Sequence, residues 1–297
     1  MQSRAKAFRY RRCTRAGLAS VLIAVSSSVA IAKDARAPAT EVPLFDRTKF
    51  ERSTIVNNKY HPLVPGTRHI YSGSVQEGRE RVPHKVVWTV TDLAKVVDGV
   101  RAVVVHEQDH RNGKLIESEL VFFAQDNAGN VWHLGQLRET YDETEFVGGR
   151  AWLGGTDGAK AGIMMQADPR PGTPGYSQGY APPPFNWTDV GRVDKVGQKT
   201  CVRTGCYKDV LVISEGSQEE GPDAEQLKFH APGVGFVRVG WRGKGEKLLE
   251  TLELTEIVRL DAKAMAEART EALEIEKRAY IYGRTAPAEL RSGTQTQ

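Results

Sequence analysis

The chain has 297 residues, with 41 Lys and Arg against 37 Asp and Glu and only three cysteines. The basic excess sits at the N-terminus, where Arg4, Lys6, Arg9, Arg11, Arg12 and Arg15 precede any acid; without the first 32 residues, 35 basic side chains face 37 acidic ones. No basic run interleaved with aromatic residues is left, so the charge argues against a nucleic-acid partner.

Taken in order, the basic start, the apolar stretch Ala16 to Val25 and the small residues Ser26 to Ala32 form a secretory signal peptide, residues 1–32, cut after Ala32. Its apolar core is too short to be a permanent anchor, so no transmembrane anchor is expected in the mature chain. Arg11-Arg12 followed by Cys13, Thr14 and Arg15 leaves the general and twin-arginine export routes both open. Residues 33–44 are polar and read as a disordered leader.

From Thr67 onward, apolar and polar residues alternate in short runs broken by turn signals, the pattern of antiparallel strands. In Lys85 to Thr91, for example, Val86, Trp88 and Val90 share one face. Asp98-Gly99, Asn112-Gly113 and Asp126 to Asn130 recur about 14 residues apart, one strand plus one hairpin turn each time. A two-residue turn at Asn112-Gly113 places His106 opposite Glu119 and Gln108 opposite Glu117, with Val103, Val105, Ile116, Leu120 and Phe122 on the other face. His106, Gln108, Glu117 and Glu119 then form a candidate polar face, either a solvated sheet surface or a cation or ligand site. His106 and His110 stand ~13 Å apart on a strand, too far to share one metal ion. Asp126 to Asn130 lacks the glycine and the bidentate carboxylate of a calcium loop: Val131 and Leu137 stand there instead.

Between residues 148 and 187, Gly and Pro interrupt the pattern, and the segment reads as a long irregular excursion whose Tyr176, Tyr180, Phe185 and Trp187 pack somewhere. It contains Gly175-Tyr-Ser-Gln-Gly179, a match to the G-x-S-x-G signature of serine hydrolases. A nucleophile elbow needs a strand running into a helix. Prolines 169, 171 and 174 before Ser177 and 182–184 after it exclude both, so no catalytic residue is assigned. Cys201 and Cys206 flank a tight turn with Gly205 inside it; in an oxidising compartment this predicts a disulfide rather than free thiols or a zinc site. Further strands are expected at Asp189 to Val196, Val210 to Ser214, Gln226 to His230, Gly235 to Trp241 and Leu248 to Val258, besides Val131 to Tyr141. The tail from Asp261 is an amphipathic helix, with Met265, Ala268, Ala272, Ile275, Ala279 and Tyr282 in one stripe and Glu274 placed to pair with Arg278. The stripe suits docking on this protein's own sheet, a dimer seam or an envelope partner. No phosphate loop, paired-histidine helix or dinucleotide fingerprint occurs, and no cofactor is implied.

The stretch Ile55-Val-Asn-Asn-Lys-Tyr60-His-Pro-Leu-Val-Pro65-Gly-Thr-Arg-His-Ile-Tyr71 resembles the opening motif, I-D-N-P-Y-x-P-L-x-P-G-T-x-x-x-Y, of an uncharacterised family of exported bacterial proteins. The likeness continues at Thr89 to Thr91, Val97 to Val100, Ala124 to Trp132, Asp157 to Ala159, Gly162 to Met164 and Ala231 to Gly235. It implies an extracytoplasmic β-rich domain and carries no catalytic set. His133 and His230 stand where such proteins show tyrosine, and Gly175 to Trp187 replaces a more acidic stretch.

These observations predict a mainly β protein: an antiparallel meander forming a curved sheet, half-barrel or two-layer sandwich over residues 45–258, then a helix over 259–282 and a disordered tail over 283–297. The expected role is that of a periplasmic or secreted, non-enzymatic envelope protein whose partner is a small apolar or amphipathic ligand or an envelope protein. A secreted serine hydrolase using Ser177 and an assembly module acting through the helix are the alternatives.

Overall fold

The computed structural model describes residues 43–142, 145–217 and 223–283; the expected signal peptide and leader up to residue 42, and the tail beyond 283, lie outside them. The strands are β1 (Thr67–Glu77), β2 (Glu80–Val97), β3 (Val100–Arg111), β4 (Lys114–Gln125), β5 (Val131–Asp142), β6 (Glu145–Leu153), β7 (Gly162–Met165), β8 (Tyr176–Ser177), β9 (Val190–Val202), β10 (Gly205–Gly216), β11 (Glu225–Ala231), β12 (Gly235–Arg242) and β13 (Thr251–Arg259). One helix, α1 (Ala262–Gly283), follows. All strands belong to one antiparallel, curved sheet in the order β6-β5-β4-β3-β2-β1-β13-β12-β11-β10-β9-β8, with β7 against β5. The mainly β, meandering fold with a C-terminal helix is therefore as the alternation of residues predicts.

The hairpins close where the turn residues dictate. Asp98-Gly99 and Asn112-Gly113 adopt positive φ (47° and 79°, 49° and 79°), the turn whose twist matches that of two antiparallel strands. In the Asp126 turn the carboxylate accepts hydrogen bonds from the Asn130 backbone and side chain and from the Trp132 indole, all at 2.9 Å. That side chain holds the turn together.

Curvature brings the two ends of the sheet together. Lys160, just before β7, and Tyr180, just after β8, exchange both backbone hydrogen bonds at 2.8 Å, linking the β5–β7 side to the β8–β9 side. Gly162 permits the approach: a Cβ there would lie 2.0 Å from the Gly179 nitrogen. Two corrections to the excursion follow. Residues 145–153 form a full strand despite Gly148-Gly149, because pairing with β5 outweighs glycine's low strand propensity. Tyr176 and Ser177, for which no strand was expected among the prolines, pair with Gly191 and Val190 of β9.

Both faces of the sheet carry buried apolar residues. The inner face gathers Tyr71, Val86, Trp88, Val103, Val105, Val121, Phe123, Ile213, Val239 and Leu254 from around the ring. The outer face carries Ala102, Val104, Leu120, Phe122, Leu134 and Leu137, and α1 covers it with Ala272, Ile275 and Ala279. Fully burying a large apolar side chain stabilises by about 1.5–3 kcal/mol, so a face this apolar has to be covered. The helix stripe docks on the protein's own sheet. Asp261 caps its first turn, accepting from the Ala264 N–H at 2.8 Å. Arg278 does not pair with Glu274; its guanidinium reaches down to the buried Glu139 instead.

Candidate ligand-binding interior

Which side chains enter the interior is decided by two bulges. Between Asp109 and His110 the β3–β4 register shifts, leaving Ile116 as the extra residue. His106 therefore faces Leu120, not Glu119, and Gln108 faces Ser118, not Glu117. A one-residue shift sends a side chain to the opposite face. His106 and Gln108 lie on the outer face, where the His106 imidazole meets the Ser118 hydroxyl at 2.9 Å beneath the helix. Burial, with Arg68 adding to it, pushes the His106 imidazole down to about 4, so it is neutral. Glu117 and Glu119 point inward, joined by Glu107 and Asp109. The expected four-residue polar face is thus divided between the two faces of the sheet. The apolar residues divide likewise, with Val103 and Val105 inside and Leu120 and Phe122 outside.

The second bulge is at Leu134-Gly135 of β5, where Phe123 pairs with His133 but Phe122 pairs with Gly135. Gly135 takes φ 148°, and a Cβ on it would lie 2.4 Å from the Trp152 carbonyl oxygen. Beyond it Gln136 and Arg138 turn inward while Leu137 faces the helix.

The resulting interior has a polar band. Glu119 accepts from Gln136 Nε2 at 2.7 Å and Arg138 Nε at 3.0 Å. Across the lumen, Lys228 of β11 lies 2.6 Å from Glu215, which also accepts from Gln178 Nε2 at 2.8 Å. Burial opposes the Lys228 charge, but Glu215 outweighs it and holds the ammonium above the usual lysine range. Among the described residues Glu107 has no ion pair of this kind, although Lys228 and Arg138 act on it from farther away. Burial, then the neighbouring Glu119, raises its carboxyl well above the ordinary carboxylate value. Farther along, His84 lies between Asp109 (2.7 Å) and Glu250 (3.0 Å, an ion-pair distance without hydrogen-bond alignment). Burial opposes its charge, yet the two carboxylates raise the imidazole to about 9.

Beside this band the interior turns aromatic. Tyr71 stacks on Phe236 with centroids 4.1 Å apart, Trp88 meets Phe236 edge-on at 5.8 Å, and His61 packs edge-on against Phe123 at 5.3 Å. Between these rings and the rim lies a cavity of about 140 Å³, lined by residues 61–64 and 233–236 and open to solvent beside Val64, Ile257 and Arg259. His69, Thr67 and Arg259 stand at its edge. Most of these lining residues belong to two of the stretches that carry the resemblance, Ile55 to Tyr71 and Ala231 to Gly235.

Three imidazoles are buried deep in this core. His61, His133 and His230 are each driven to about 3, above all by burial, and each keeps a buried Nε2 without a hydrogen-bond partner. In the sequence, His133 and His230 stand out only as departures from a tyrosine pattern, and His61 fills an unspecified position between Tyr60 and Pro62. Among the described residues no group of three or more potential metal ligands converges.

Ser177 is buried, its hydroxyl donating to the Gly179 carbonyl at 2.9 Å and accepting from the Gly179 N–H at 3.3 Å. Among the described residues no imidazole hydrogen-bonds to it, and the local loop is closed by backbone rather than presented at a strand-to-helix corner. Cys201 and Cys206 are bonded to each other across the β9–β10 hairpin tip. Among the described residues no helix is long and apolar enough to cross a membrane.

No protein-family model matches the chain, and no curated protein matches it. Among solved structures, it is similar to a presumed exported protein with a YmcC-like fold from Bacteroides fragilis, at 12% identity and TM-score 0.41, covering 68% of this chain and 99% of that one. A presumed lipoprotein from Parabacteroides distasonis is similar at 11% identity and TM-score 0.37, again covering 68% of this chain and 99% of that one. Both likenesses are too distant to carry a function across.

Proposed function

We propose that this chain is an exported, non-enzymatic binding protein that holds a small apolar or amphipathic ligand inside its curved sheet, in the periplasm or outside the cell. The export part rests on the basic, apolar and small-residue segment over residues 1–32. The binding part rests on one observation: a cleft of about 140 Å³, open to solvent at the rim, reaches in to Tyr71, Trp88 and Phe236. Concave, mostly apolar sites with a few polar groups at the edge are the common form of small-molecule sites. The hydrolase alternative has no comparable support, since Ser177 is engaged with the Gly179 backbone.

Native mass spectrometry of protein purified from the envelope fraction tests this. The expected result is an adduct of small-molecule mass in the wild type that is absent from Val64→Trp, a change at an exposed position on the cavity cover that fills the space. A bare mass for the wild type, together with no saturable binding of small aromatic probes, would reject the reading.

A further inference from the structure

The polar groups at the cavity edge are arranged for one kind of guest. The Tyr71 hydroxyl donates to the Phe236 carbonyl at 3.0 Å. A hydroxyl has one proton, so its 3.3 Å contact with His69 Nδ1 must have the imidazole as donor. Burial, reinforced by Arg259, keeps His69 neutral, and a neutral ring protonated on Nδ1 carries a lone pair on Nε2. One side of the edge is therefore an acceptor.

The other side is a cation. Arg259 pairs across the β1–β13 ladder with Thr67, and its Nη1 donates to the Thr67 hydroxyl, which fixes the guanidinium at the edge of the cavity. Five N–H groups serve a guanidinium and this bond uses one. Arg259 is solvent-exposed, and among the described residues no carboxylate lies within ion-pair distance of it, so its remaining N–H groups are open to a ligand. The same cavity is lined by Trp88, Phe236, Val90 and the partly exposed Ile257.

Resting on the binding function proposed above, we infer that the cavity takes a small carboxylic acid with a ring-sized apolar body, its carboxylate on Arg259 and its body against Trp88 and Phe236. Guanidinium and carboxylate match in geometry and form charge-assisted hydrogen bonds. The lone pair of His69 Nε2 repels a carboxylate oxygen, so the head is directed to the arginine side and the ligand has one orientation. The size fits as well: a void of about 150 Å³ accommodates benzene.

The test uses the oxidised full-length mature protein, titrated with benzoate and with the uncharged benzyl alcohol by calorimetry and tryptophan fluorescence. Benzoate is expected to bind at least tenfold more tightly than the alcohol, less so at high salt. Arg259→Gln is expected to remove that preference while leaving alcohol binding within twofold, and Arg259→Lys to restore part of it. Equal binding of the two probes by the wild type would overturn the carboxylate inference and leave the cavity as a neutral binding site; that comparison needs no variant. Failure of both probes to bind would overturn the inference together with the function on which it rests.

Discussion

Arg278 of the helix donates from Nε and Nη2 to the two carboxylate oxygens of Glu139, at 2.8 Å each, and Glu139 has no exposed surface. The pair clamps α1 to the outer face of β5, and the Tyr141 hydroxyl adds a third bond to Glu139 at 2.7 Å. Breaking a buried pair by removing one partner leaves an uncompensated charge. Because Arg278 is itself 39% exposed and Tyr141 stays in place, Arg278→Met should cost about 3 kcal/mol, the lower end for such pairs. Adding Glu139→Gln should recover a large part of it. Denaturant unfolding of the single and double variants measures both; equal stability of wild type and Arg278→Met would show that the clamp contributes nothing.

Stability should peak near pH 6.5. His61, His133 and His230, each lowered to about 3 by burial, are neutral in both states above the ordinary histidine value. As pH falls below it, the unfolded chain takes up protons that the folded one refuses, so stability declines toward about pH 3, by up to ~1.4 kcal/mol per pH unit and site. His84 has the opposite sign: raised to about 9, it contributes fully below pH 6.5 and its contribution is lost as pH rises through 9. Glu107, raised by burial, likewise contributes at low pH and loses this as pH climbs above the usual carboxylate value, which flattens the acid limb without reversing it. Thermal unfolding across pH 3–10 should show the peak, His61→Phe a shallower acid limb, and His84→Gln no decline between 6.5 and 9.

A fluorophosphonate probe should leave Ser177 unlabelled in the folded protein, because the hydroxyl is buried and its proton lies toward the Gly179 carbonyl. Ser177→Ala should cost about 1 kcal/mol, the usual net worth of one hydrogen bond, and change no hydrolytic activity. Labelling of the wild type that disappears in Ser177→Ala would restore the hydrolase reading.

Replacing Cys201 and Cys206 by alanine should lower stability by about 2 kcal/mol, because the bridge closes a loop of only a few residues and restrains the unfolded chain little. The far-ultraviolet dichroism should not change. A loss well above this would mean that the β9–β10 hairpin depends on its tip.

Gly135→Ala should be far more damaging than its single methyl suggests. Its φ of 148° is disfavoured for alanine, and the added Cβ would sit against the Trp152 carbonyl at 2.4 Å. A loss of at least about 2 kcal/mol is expected. The orientation of Arg138 should suffer with it, readable as a weakened Glu119 interaction in a double-mutant cycle.

The hairpins were legible because Asp98-Gly99 and Asn112-Gly113 place left-handed-tolerant residues where the chain must reverse. The helix stripe was legible because small side chains recur at helical spacing and allow close docking, as Ala272 and Ile275 do. The bulges were not. An extra residue such as Ile116 looks like any other strand residue, yet it reverses every face assignment beyond it. That is why a two-residue turn predicts His106 and Gln108 beside Glu117 and Glu119, while the structure divides them between the two faces. Arg138 lies one strand beyond Glu119 and so near Glu107 within the sheet, whereas Lys228 comes from β11, and only the curvature of the sheet brings it near Glu107. Glycines hid β6 in the same way, since pairing with β5 is a long-range property.

β1 finds its second neighbour only in β13, roughly 190 residues later, as in the pairing of Thr67 with Arg259. Non-local pairings of this kind slow folding, because the connecting chain must be ordered before the contact is made. The first six strands can zip together as they emerge, but they keep a raw flank and an uncovered outer face until the final stretch arrives. The C-terminal segment, β13 followed by the helix, thus works as a clasp: a polypeptide cut short by some fifty residues would present a sticky border and a bare apolar wall at once, which are two routes to aggregation.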